Sequence, residues 1–234
     1  MNHRNMNLRI AERAVLGSLV LASALSLSLL PRAARAGILR DVMVSVGLAK
    51  PPPTPVTAPG ATGPETLPRQ GFACCDLHYS RDWVNDGNYA ELPMVAAGTP
   101  IEVLSYGTNR AYVKIDGKPM RLGHDYGRDQ ETLQAWVAKI VVNDDPRPRI
   151  ATYAPTVQAA IREGKVMVGM SREQAIASIG YPLTSENVSL NEPVWRIWRS
   201  SRGEYQLNFG PDGRVKSITG DDSVTSLVTY QPGK

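Results

Sequence analysis

Two runs decide how this chain is read: GKVMVGMSREQAIASIGYP, residues 164–182, and VWRIWRSSRGEYQLNFGPDGRVKSI, residues 194–218. In the first, Ser171 precedes the apolar positions Ala175, Ile176 and Ile179, and Gln174 follows it by three, the pattern of a capping box. Gly180 supplies a helix stop and Pro182 forbids continuation. The helix is about two turns long, too short to stand without tertiary packing. An earlier helix is expected from Pro155, with Val157, Ala160 and Ile161 on one stripe and Gly164 as its stop.

The second run predicts strands. Tyr205, Leu207 and Phe209 alternate with Glu204, Gln206 and Asn208, a period of two with one face buried. Gly210-Pro211-Asp212-Gly213 is a turn in which proline presets φ. Val194–Arg199 and Arg214–Ile218 alternate imperfectly, so each calls for a bulge or for burial on both faces. The sequence therefore predicts a helix pair followed by a three-stranded meander.

That order of helix stop, Gly-Met-Ser cap, helix, Gly-x-Pro, aromatic strand and meander resembles the BamE-like (SmpA/OmlA) domain of bacterial envelope proteins. The resemblance implies an ααβββ domain over residues 150–232 and a non-catalytic role in outer-membrane protein assembly or envelope integrity. It also implies other envelope proteins as partners, the outer-membrane assembly machinery among them. Met170, Ser171, Tyr205 and Phe209 are the positions that match.

Upstream, residues 72–145 read as β-rich. Thr99–Tyr106, Ala111–Ile115 and Lys118–Leu122 are expected strands, the last two joined by Asp116-Gly117, a strong hairpin signal. Leu133–Val142 is expected to end in a closing strand at Ile140-Val141-Val142. Several short strands at tight spacing suggest a small barrel. Trp83, Asp86-Gly87-Asn88-Tyr89 and Gly98-Thr99-Pro100 resemble bacterial SH3-like barrels. The expected fold class is α+β: a small SH3-like β-barrel followed by an ααβββ BamE-like domain. Asp144-Asp145-Pro146-Arg147-Pro148 marks the break between them.

The N-terminal part reads differently. Arg4, Arg9 and Arg13 precede an uncharged run from Ala14 to Leu30, and Ala34-Arg35-Ala36 offers small residues for cleavage. Residues 1–36 are therefore expected to be a signal peptide, with an uncleaved anchor as the alternative. Residues 37–71, rich in proline from Lys50 onward, are expected to be a disordered linker. The whole chain carries 26 basic and 22 acidic residues, but the first 36 residues hold five arginines and one acid, so 21 of each sign remain. No basic stripe stands out, and nucleic acid is not an expected partner.

Cys74 and Cys75 are the only cysteines, and they are adjacent. Three readings stand open: two structural thiols, a disulfide, or a metal site with His78, with or without His124, although adjacent cysteines lack zinc-knuckle spacing. Gly71-Phe72-Ala73 is not a lipoprotein-processing triplet, so the chain is not read as a lipoprotein. The expected location is the periplasm, with association at the outer membrane implied by the resemblance.

No nucleophile elbow, phosphate loop or zinc-protease helix occurs. No catalytic residue and no cofactor is assigned. His124 beside Asp125 invites a general-base role, but strand neighbours point to opposite faces. Trp83, His124, Asp125, Tyr126, Trp198, Arg199 and Tyr205 form the candidate binding surface, because Trp, Tyr and Arg are enriched in interface hot spots. The alternative function is a periplasmic ligand-binding module in which the barrel takes peptidoglycan or a peptide.

Overall fold

Where polar turn residues break the apolar alternation, the chain reverses. Asp116 and Gly117 both adopt positive φ (49° and 75°), as a tight hairpin of this twist requires. The computed structural model describes residue 67 and residues 69–233, which belong to one compact unit. The expected signal peptide and most of the expected linker lie outside the described residues.

Seven strands come first: β1 (Arg69–Ala73), β2 (Leu77–Ser80), β3 (Trp83–Asn85), β4 (Met94–Val95), β5 (Pro100–Tyr106), β6 (Arg110–Ile115) and β7 (Lys118–Gly123). Then follow α1 (Leu133–Ile140), β8 (Val141–Val142), α2 (Arg147–Ile150), α3 (Pro155–Arg162) and α4 (Arg172–Ile179). The remainder is β9 (Val194–Ser200), β10 (Gly203–Phe209), β11 (Val215–Gly220) and α5 (Asp222–Val228). β1 opens at Arg69, inside the stretch read as linker.

β1–β8 form one sheet in the order β4-β2-β3-β7-β6-β5-β1-β8. All its pairings are antiparallel except β3–β7, which is parallel. β1 and β2 stand far apart in that order, yet only residues 74–76 separate them in the chain. The sheet must therefore curl back on itself. Ala73 extends the β1–β5 ladder past Phe72: its N–H donates to Thr99 O at 2.8 Å and its C=O accepts from Gly98 N–H at 2.8 Å. Ile101, Val103, Ala111, Val113, Ile115 and Leu122 fill the inside.

This architecture corrects the expected fold class. The described residues are mostly β, an eight-stranded curled mixed sheet plus a three-stranded sheet with five short helices. They are not an SH3-like barrel followed by an ααβββ BamE-like domain. The β5–β6–β7 hairpins follow from alternation and turn chemistry. The short strands β2, β3 and β4 and the parallel β3–β7 pair carry no local signal, whereas β8 is the closing strand expected at Ile140-Val141-Val142, limited to Val141–Val142. Residues 133–140 are helix, because Leu133, Trp136, Val137 and Ile140 recur at helical spacing and are buried. Thr132 caps it, its Oγ1 accepting from Ala135 N–H at 3.2 Å. The meander, in turn, is followed by α5, which packs against β10 and β11.

In the three-stranded sheet, order β11-β10-β9, Trp195, Ile197, Tyr205, Leu207 and Phe209 face α3 and α4 and form a second hydrophobic cluster with Ala160, Ile161 and Ala175. The register shift at Asn208/Phe209 accounts for the imperfect alternation of β11, whereas β9 alternates strictly from Val194 to Trp198 and carries those two apolar residues on its open face. The Ser171–Gln174 capping box starts α4, with reciprocal bonds of 3.2 and 2.9 Å.

Asn88 joins the two clusters. Its Oδ1 accepts from His78 N–H at 2.7 Å, and its Nδ2 donates to Asp76 O at 3.2 Å and Ile179 O at 2.8 Å. Gly180 has φ +76°, and a Cβ there would sit 2.4 Å from Asn88 Nδ2. That glycine is required both by its backbone and by the close approach.

Candidate functional site

The outer face of β3, β7 and β6 collects the most interaction-prone side chains. Trp83 lies opposite Arg121, and Arg121 lies opposite Tyr112, so the three form one row across the sheet. In the next row Arg110 lies opposite Gly123. The Arg110 guanidinium carbon is 4.3 Å from the Trp83 ring centre and that of Arg121 is 5.3 Å away, both within cation–π range. A Cβ at Gly123 would be 2.3 Å from Trp83 Nε1 and 2.8 Å from Asp125 Oδ2. Glycine there lets the indole lie across the strand.

The two arginines are held by acids at the rim. Arg121 pairs with Asp82 at 2.9 Å and Arg110 with Asp125 at 3.7 Å. Tyr112 ends the row, 48% exposed, and Tyr126, 47% exposed, follows Asp125 in the next loop. Tyr126 shares a 3.3 Å hydroxyl contact with Tyr89. Burial first, and then that contact, raises the Tyr89 phenol above its ordinary value. The face is thus a rigid plate of aromatic and guanidinium groups with its charges locally balanced.

His124 does not belong to this surface. It is 1% exposed and stacks on Trp136 with ring centres 5.3 Å apart. Its Nδ1 lies 2.9 Å from Asp86 Oδ2 and its Nε2 lies 3.0 Å from Glu131 O. Both ring nitrogens are engaged, so the ring is a clamp and has no nitrogen left to act as a base on a ligand. The Asp86 carboxylate also accepts from the N–H groups of Asp125, Tyr126 and Gly127, the last at 2.8 Å. Burial opposes its charge, but the His124 bond and these three N–H groups outweigh burial and lower its pKa. Asp86 therefore fixes the loop that carries Asp125 and Tyr126. His124 and Asp125 do not act as a pair.

Cys74 and Cys75 are bonded to each other, 8% and 0% exposed between β1 and β2. Their sulfurs are thereby committed, and among the described residues no cluster of three His, Cys, Asp or Glu side chains is placed to hold a metal. Asp76 follows, 1% exposed, with Oδ1 accepting from Ala97 N–H at 2.8 Å and Oδ2 without a partner. Burial drives its pKa to about 8 against the pull of that bond. His78 Nδ1 bonds Leu92 O at 2.8 Å, and burial lowers its pKa.

The remaining candidates lie elsewhere. Trp198, half-buried on the open face of the three-stranded sheet, donates its Nε1–H to Glu186 at 2.8 Å. Arg199 pairs with Glu91 at 3.4 Å. Tyr205 is fully buried on the opposite face and is a core residue; burial raises its phenol pKa. The structure thus gathers Trp83 and Asp125 around Arg110, sets Tyr126 against Tyr89, places Trp198 and Arg199 on β9, and buries His124 and Tyr205.

Sequence reasoning missed Arg110, Tyr112 and Arg121. Their alternation with Ala111, Val113 and Leu122 marks them as outward-facing, but only the parallel β3–β7 pairing brings Trp83 beside them. Asp86, 38 residues from His124, left no local signal. Compared with family models, curated proteins and solved structures, the chain matches none.

Proposed function

We propose that this chain is an exported, non-catalytic binding module of the cell envelope that acts as an adaptor through the face of β3, β7 and β6. The observation that carries this reading is the row Trp83–Arg121–Tyr112 with Arg110 stacked on Trp83. Trp, Tyr and Arg dominate interface hot spots because they bury large area and hydrogen-bond at little entropic cost. Here they are already held by Asp82, Asp125 and the Asp86-anchored loop, so little ordering remains on association. The signal-peptide pattern of residues 1–36 and a cysteine pair kept oxidised favour an oxidising compartment. The described residues contain no helix long and apolar enough to cross a membrane.

The test is affinity capture by the full chain from solubilised envelopes, run beside Trp83→Ala and Arg121→Glu. A discrete envelope protein retained by the native chain and lost with either variant supports the adaptor. Equal capture by all three contradicts it. Retention on purified peptidoglycan that depends on Tyr112 transfers the same face to the ligand-binding alternative.

A further inference from the structure

A second feature lies away from that face, between the start of α4 and the β10–β11 turn. An open groove of about 400 Å³ is lined by Arg172, Asn191, Pro193, Phe209, Pro211 and Gly213 among others. That volume falls in the range of small-ligand sites, about 300–1,000 Å³. Arg172 is the only charged side chain in the lining.

Arg172 is held but not neutralised. Its Nη2 donates to Glu192 O at 2.9 Å and reaches Asn191 O at 3.4 Å, and its guanidinium carbon lies 4.1 Å from the Phe209 ring centre. Its Nε is buried without a partner. Arg110, Arg121, Arg147, Arg149, Arg196 and Arg199 all pair with carboxylates. Arg172 has no carboxylate partner among the described residues. Glu173, next to it, is committed to Arg149 at 2.6 Å. Asp212 accepts from Arg214 N–H at 3.1 Å.

Helix stability does not explain this residue. A cation in the first turn opposes the helix dipole. Gly213, at φ +73°, keeps the guanidinium open, since a Cβ there would stand 3.2 Å from Arg172 Nη1. The groove therefore presents one immobilised, uncompensated positive charge beside apolar walls from Phe209, Pro193 and Pro211.

We infer that this groove binds the free C-terminal carboxylate of a peptide that ends in an apolar residue. The carboxylate supplies the charge that Arg172 lacks, through charge-assisted hydrogen bonds from Nη1. The last side chain covers the Phe209 edge and the two prolines. The Asn191 amide offers a donor and an acceptor to the peptide backbone, and the open side of the groove lets the rest of the peptide leave. Backbone-linked capture of a C-terminus is a recurring recognition mode. This inference does not depend on the adaptor reading.

The experiment is a two-dimensional amide NMR titration of the full chain with N-acetyl-Ala-Leu bearing a free carboxylate, with its C-terminal amide, and with acetate and inorganic phosphate. Saturable shifts confined to residues near Arg172, Gly210 and Gly213 are expected for the free acid. Amidation is expected to weaken binding about tenfold or more, as is Arg172→Gln with signals elsewhere unchanged. Equal binding of the amide overturns the inference without reference to any variant. So do acetate or phosphate binding as tightly as the peptide, and so does the absence of saturable shifts.

Discussion

At the scale of single residues, two buried carboxyls work in opposite directions. Asp86 is held ionised by His124 and three N–H groups, and its pKa is lowered. Its contribution to stability is present above the unfolded pKa and is lost as pH falls through the folded one. Asp86→Ala would orphan those donors, and urea unfolding should register a loss of about 3–5 kcal/mol. Asp76 is the reverse case. Folded, it keeps its proton to about pH 8; its ordinary value is 3.8. Between those values the native state binds more protons than the unfolded chain. Stability from this group is full below the ordinary value and is lost as pH rises through about 8. Asp76→Asn should flatten that decline when unfolding free energy is measured from pH 4 to pH 8, a range set by the same shift. An unchanged slope would show that another group carries it.

Among elements, the β9 edge shows how the molecule keeps a strand from pairing with foreign chains. β9 has β10 on one side only. On the other, Asn187 acts as a one-residue strand: its Oδ1 accepts from Arg196 N–H at 2.8 Å and its Nδ2 donates to Arg196 O at 2.9 Å. Exposed strand edges template aggregation. Asn187→Ala should cost about 1–3 kcal/mol and raise concentration-dependent light scattering; a soluble variant of native stability would refute the plug. Legibility in the sequence divides along the same line. The α4 cap, the Asp116-Gly117 hairpin and the β10 alternation are local and could be read from neighbours. The Asn187 plug, the Asn88 bracket and the Asp86–His124 pair join residues 9 to 91 positions apart through side chains, and no periodicity encodes them. α1 is legible in the helical spacing of Leu133, Trp136, Val137 and Ile140, and the β-branched end at Val141-Val142 is the strand β8.

For the whole molecule, the curl of the first sheet seals the Cys74–Cys75 bond between β1 and β2 at 8% and 0% exposure. Thiol exchange needs access of a thiolate to sulfur. The native protein should therefore resist millimolar reductant over hours and lose the bond quickly once denatured, as read by thiol labelling and mass spectrometry. Rapid reduction under native conditions would contradict that burial. The same curl sets β3 beside β7 and thereby makes the Trp83–Arg121–Tyr112 row, on which the adaptor reading rests. Trp83 could be nominated from residue type, but its assembly with Arg110 and Arg121 is a property of the curled sheet, in which β3 pairs with β7. The most direct measurement is site-specific photo-crosslinking in the native cell from Tyr112, replaced by a photoreactive amino acid. The account predicts a crosslink to one envelope protein that falls to background when Arg121→Glu is added. An absence of crosslinks, or a pattern indifferent to Arg121→Glu, would contradict it.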